Sequence, residues 1–108
     1  MDETLLQAMA DAIVAELHPD EIVLFGSYAR GDDRIGSDLD LLVVVTDSEE
    51  TQRKRRKITG LLYRRLAAFP VAKDILLFTR SEVEHWRNVP GHVVATGIQE
   101  GRRIYARP

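Results

Sequence analysis

The stretch FGSYARGDDRIGSDLDLLVVV, Phe25–Val45, organises the whole chain. It opens with Gly26-Ser27 directly after an apolar run, passes through a polar loop, and reaches Asp38 and Asp40 at the head of a second apolar run. Side chains at i and i+2 of a strand leave the same face. Asp38 and Asp40 are therefore expected side by side, on a strand stiffened by Leu41–Val45. Two neighbouring carboxylates repel unless a positive charge sits between them. A hard divalent cation such as Mg2+ suits that place, since it prefers oxygen ligands and commonly brings substrate phosphates with it. The Gly-Ser turn can meet those phosphates with backbone N–H groups and a hydroxyl.

Working outward on the N-terminal side, Leu5, Leu6, Met9, Ile13 and Leu17 share one face of a helix expected over residues 3–17. His18-Pro19 ends it, because the residue before a proline is pushed out of the α region. Glu21–Phe25 reads as a short buried strand, and Gly26–Gly36, with three glycines in eleven residues, reads as a loop. Asp38–Val45 is expected to be a strand. It is apolar on both faces beyond its carboxylates, which places it in the interior of a sheet covered on both sides.

On the C-terminal side, Asp47 with Glu50 has the spacing of a capping box, opening a helix expected to run to Ala68 and close at Phe69-Pro70. Ala72–Thr79 is a third strand with Asp74 near its beginning, Ser81 with Glu84 a second capping box before a helix through Arg87, Pro90–Glu100 a further helix, and Arg102–Ala106 a last strand. The order predicts a single α/β domain over residues 1–108, a small sheet flanked by helices.

Composition sets bounds on function. The 108 residues carry a formal charge of −2, so the molecule as a whole gives no electrostatic reason to bind nucleic acid. No cysteine is present, which rules out disulfides and thiolate metal sites. The acidic, amphipathic start is unlike a secretory signal, and no apolar run approaches the roughly 20 residues of a membrane span. A cytoplasmic protein is the expectation. Seven of the fifteen Lys and Arg residues lie in Arg53–Lys57 and at Arg64 and Arg65, which read as a solvated helix face. His18, His85 and His92 have no metal-ligand spacing and read as structural or exposed, and Trp86 and Tyr105 read as core or interface anchors.

A carboxylate at Asp74 would be costly to bury without a partner. If the second and third strands are neighbours, it falls beside Asp38 and Asp40 and completes a triad. Three carboxylates around one or two Mg2+ ions suit in-line transfer of a nucleotidyl or phosphoryl group. In that scheme Asp38 and Asp40 bind the ions, and Asp74 binds the nucleophile-side ion and accepts the hydroxyl proton. Gly26 and Ser27 are the phosphate-side candidates. Arg30 is a candidate triphosphate contact, and Ser37 either caps the strand start or donates to phosphate. Gly31 and Gly36 shape the loop.

Gly26-Ser27-x-x-Arg30-Gly31, then Ser37-Asp38-x-Asp40 leading into an apolar strand, with a later Asp74, resembles the nucleotidyltransferase superfamily of DNA polymerase beta. Within it the chain is most similar to the minimal nucleotidyltransferase (MNT) proteins, to which its short closing segment also corresponds. The resemblance covers nearly the full length. It implies a mixed sheet flanked by helices, Mg2+, and transfer of a nucleoside monophosphate from an NTP, usually ATP. It also implies a partner, since members commonly act as the antitoxin of a helical HEPN toxin, and some adenylylate a tyrosine on it. Larger nucleotidyltransferases resemble this core plus an acceptor-holding domain, for which 108 residues leave little room. The expected activity is therefore transfer of AMP from ATP to a hydroxyl of a HEPN toxin. The competing readings are an antitoxin that only occludes its toxin, and a transferase acting on a small molecule.

Overall fold

The computed structural model describes residues 2–108. In chain order the elements are α1 (Glu3–Leu17), β1 (Glu21–Phe25), α2 (Gly26–Arg30), β2 (Leu39–Val45), α3 (Glu49–Arg53), α4 (Arg55–Leu66), β3 (Lys73–Thr79), α5 (Arg80–Trp86), α6 (Val93–Glu100) and β4 (Arg102–Ala106). The strands form one sheet of order β3-β2-β1-β4. β1 runs antiparallel to β2 and β4, and β2 runs parallel to β3, so the sheet is mixed and flanked by helices as expected.

β2 is the interior strand that its two-sided apolar pattern demands. Leu41 and Val43 point to the face where α1 and α4 bury Leu6, Met9, Ile13, Leu62 and Leu66. Leu42 and Val44 point the other way, into a second cluster with Val23, Phe25, Val83 of α5 and Val94 of α6. Each of those aliphatic side chains contributes about 1.5–3 kcal/mol on burial. The strand that carries the aspartates is thus the one held from both sides. Asp40 is the one residue of β2 that is not fully buried.

Six expectations need correction, each at an element boundary. Gly26–Arg30 is a helical turn rather than loop, entered through Gly26 at φ 73° and left through Gly31 at φ 79°. β2 begins at Leu39, so Asp38 stands one residue before it. Ser48, not Asp47, caps α3, its Oγ accepting from the Glu50 and Thr51 N–H groups. The Asp47 carboxylate instead accepts from the Ser81 N–H at 2.9 Å, and that bond holds its pKa below the usual range. The expected long helix is broken at Lys54 (φ −110°, ψ 19°) and ends at Leu66. The capping box before α5 is Thr79 with Glu82, not Ser81 with Glu84. α6 starts at Val93, with the His92 ring nitrogen accepting from the Val94 N–H. Among the described residues no helix is long and apolar enough to cross a membrane.

Candidate active site

Strand register gathers the acidic residues. Asp40 lies opposite Phe25 across the β1–β2 pair and opposite Asp74 across the β2–β3 pair. Asp40 and Asp74 therefore share a face with Leu42, Val44, Leu76 and Phe78. Asp38, two residues before Asp40, adds its charge at the mouth of the strand. The three carboxylates that sequence spacing singled out are brought to one end of the sheet. They are not equally exposed: Asp40 is half-buried, whereas Asp38 and Asp74 are open to solvent.

Burial raises the pKa of Asp40, and the charges of Asp74 and Asp38 raise it further, while Arg30 opposes them. Gly26 makes this crowding possible. A Cβ built on Gly26 would stand 2.2 Å from Oδ2 of Asp40, closer than any real side chain approaches. Its φ of 73° is also one that glycine adopts without cost. The Gly-Ser turn and the aspartate are in direct contact, and only glycine leaves room for both.

A cleft of about 550 Å³ opens beside them, lined by Phe25, Gly26, Ser27, Arg30, Gly36, Ser37, Asp38, Asp40 and Thr96. Ligand sites commonly have this volume. α2 starts at its wall without a side-chain cap, so its first N–H groups have no such acceptor. Ser37 accepts from the Arg34 N–H at 2.8 Å, which fixes the loop and leaves its own proton to donate. Arg30 is the least ready of the candidates. Its guanidinium is 3.2 Å from both Asp32 and Glu100, and a phosphate would have to displace one of them. Thr96, from the far end of the chain, is a wall residue that no local pattern signals.

Asp74 stands beside this cleft rather than in its wall. Its Oδ1 lies 3.4 Å from the Tyr63 hydroxyl, which also accepts from the Ile75 N–H at 2.9 Å. Tyr63 was not legible as a site residue, because it sits among helix-face positions and meets β3 only through the fold. Another cleft, of about 440 Å³, lies toward the opposite end of β1, lined by Glu21, Arg80, Arg87 and Arg103 among others. Its arginines are paired with Asp20, Glu21 and Glu84, and it gathers no comparable set of carboxylates.

Among the described residues no three His, Cys, Asp or Glu side chains close tightly enough to form a ready metal cage. Two facing carboxylates with open space beside them nevertheless fit a cation of the Mg2+ kind. Such ions are usually held by one or two carboxylates, with water and substrate phosphates completing the octahedron. Such an ion would relieve the like charges around Asp40.

The same fold is found in solved structures. One described as a candidate nucleotidyltransferase from Sulfolobus solfataricus superposes with a TM-score of 0.64 at 18% identity, over 96% of this chain and 79% of that one. Another described in the same way gives 0.61 at 21% identity, over 93% of this chain and 97% of that one. A toxin–antitoxin structure with AMP-PNP gives 0.58 at 17% identity, over 99% of this chain and 75% of that one. The architecture is thus that of the nucleotidyltransferases. The family model described as the nucleotidyltransferase domain matches residues 8–100, and the chain belongs to that family. No individually curated protein matches it.

Proposed function

We propose that this protein transfers AMP from ATP to a hydroxyl, most simply a tyrosine, of a partner HEPN toxin, and acts as that toxin's antitoxin. The observation that carries the transfer chemistry is the register of β2 and β3, which sets Asp40 opposite Asp74 with Asp38 two residues away and Gly26 in contact. Family membership supports nucleotidyl transfer, and the likeness to a toxin–antitoxin structure with AMP-PNP is consistent with the partner.

In this reading Asp38 and Asp40 hold Mg2+, and Asp74 holds the ion on the acceptor side. When bound, Mg2+ neutralises charge on the triphosphate and lowers the pKa of the attacking hydroxyl. Gly26 lets the backbone approach the β- and γ-phosphates, and the hydroxyls of Ser27 and Ser37 donate to their oxygens. Arg30 exchanges Asp32 or Glu100 for a phosphate as the nucleotide arrives. The acceptor oxygen bonds to the α-phosphorus, the α–β phosphoanhydride breaks, and pyrophosphate leaves in line with the attack. Asp74 takes the hydroxyl proton.

The test is the intact mass of the neighbouring gene's protein after incubation with this one, ATP and Mg2+. Wild type should add whole adenylate units, and Asp38→Asn/Asp40→Asn should add none. An unchanged mass in a tight complex would replace transfer by simple occlusion.

A further inference from the structure

β3 is an edge strand, and its outward-facing backbone is occupied by side chains. The Tyr63 hydroxyl accepts from the Ile75 N–H, Arg55 Nη1 donates to the Leu77 carbonyl at 2.8 Å, and Glu82 Oε1 accepts from the Thr79 N–H at 2.8 Å. Edge strands otherwise offer a free ladder that frays or pairs with other chains. Arg55 and Glu82 also bond to each other and complete a clamp near the C-terminal end of β3. Tyr63 differs from them in a second contact, because its hydroxyl also lies 3.4 Å from Oδ1 of Asp74. A hydroxyl that accepts from a backbone N–H has its own proton free, and the Asp74 carboxylate lies within its reach.

We infer that Tyr63 is a positioning residue for Asp74, tying the carboxylate to the backbone of its own strand through one hydroxyl. The inference rests on the reading of Asp74 as the acceptor-side carboxylate. Asp74 needs such support more than Asp40 does. Asp40 is on an interior strand, walled by Phe25 and Gly26, whereas Asp74 is exposed on the edge. An exposed aspartate samples several rotamers, and a hydrogen bond from a ring packed on α4 selects one of them. Tyr63 is 36% exposed, so its ring lies at the surface beside Asp74 rather than in the core.

The experiment compares wild type, Tyr63→Phe, Asp74→Asn and the double variant in the adenylylation of the partner toxin. A resonance of the Asp74 carboxyl carbon is recorded for wild type and Tyr63→Phe without nucleotide. Tyr63→Phe keeps the ring and removes only the hydroxyl. The expected result is a fall in kcat of about 10-fold, the scale seen when a ligand's supporting partner is lost. KM for ATP should be unchanged, because Gly26, Ser27, Asp38 and Asp40 are untouched. Tyr63→Phe should cause no further loss in the Asp74→Asn background, and the carboxyl-carbon resonance should move in Tyr63→Phe. A lower melting temperature with unchanged kcat would overturn the inference and leave Tyr63 as an edge clamp. So would a full additional loss on top of Asp74→Asn, or an adenylate found on Tyr63 itself, which would make the hydroxyl an acceptor. Full activity in Asp74→Asn would instead overturn the reading of Asp74 on which the inference stands.

Discussion

At Asp40 the fold keeps a carboxylate half-buried beside two others, and burial, Asp74 and Asp38 together raise its pKa. A carboxyl whose folded pKa lies above its unfolded value imposes no cost at pH below both values, where it is protonated in both states. The cost grows as pH rises from the unfolded value and is complete above the folded one. Asp40→Asn should therefore melt higher than wild type near pH 7 in the absence of nucleotide, with the gap closing below about pH 4. The same variant should lose transfer by about 100-fold or more. Equal melting temperatures at neutral pH would show that the crowding carries no strain. Gly26→Ala tests the contact from the other side: the positive φ alone costs about 1–3 kcal/mol, and the new methyl would drive the Asp40 side chain away. Denaturant melts and transfer rates should both fall, and a neutral result would mean that α2 shifts to make room. The i, i+2 spacing of Asp38 and Asp40 was readable in the sequence, because strand periodicity is local. Their contact with Gly26 was not, since it depends on the pairing of β1 with β2.

The elements show the same division between local and distant causes. The apolar runs marked every strand to within a residue or two, because alternation and two-sided burial are properties of neighbouring residues. The helix caps were misread where a partner from elsewhere in the fold takes a side chain. Asp47 has the spacing of a cap for α3, but it is held by the Ser81 N–H, 34 residues away, and Ser48 caps instead. Ser81 and Glu84 have the spacing of a box, but β3 stays paired with β2 up to Thr79, so α5 starts directly from the strand's last residue. Glu82 then serves the cap, the edge and Arg55 at once. Burial pushes its pKa up, but the hydrogen bonds from Arg55 and the Thr79 N–H outweigh burial and leave it lowered. A lowered carboxyl stabilises the fold above its unfolded pKa, and that stability is lost as pH falls through the folded value. Glu82→Ala removes a cap and a charge-assisted bond from a partly buried pair, and should cost about 2 kcal/mol by chemical denaturation at pH 7. The difference from wild type should shrink at acid pH, and a gap that stays constant would assign the loss to packing. Gly101 belongs here too. A Cβ there would meet the Gly97 carbonyl oxygen at 2.3 Å and Val23 Cγ1 at 2.5 Å, which explains glycine at the turn from α6 into β4.

For the molecule as a whole, the sheet's main task is to bring Asp74 across 34 residues of chain to face Asp40. The composition of β2 called for an interior strand, but which strand lies beside it, and in which register, is settled only by packing both faces at once. A slip of one residue in β3 would turn Asp74 to the opposite face. Register is therefore a property of the folded state, and whatever binds at the register point should stabilise the fold. A ligand that binds only the native state adds RT ln(1 + [L]/Kd), about 2.7 kcal/mol at a hundredfold excess over Kd. In a domain of this size each kcal/mol raises the melting temperature by roughly 4–8 °C. Wild type should therefore melt about 10–20 °C higher with Mg2+ and ATP at that excess, measured by differential scanning fluorimetry or calorimetry. ATP with EDTA should give only a small rise, since the like charges of Asp38, Asp40 and Asp74 then meet the triphosphate with no cation between them. Asp38→Asn/Asp40→Asn should lose the Mg2+-dependent part while keeping the fold. An equal rise with and without EDTA would place the nucleotide away from the three carboxylates, and the cleft beside Gly26 and Ser27 would need another occupant.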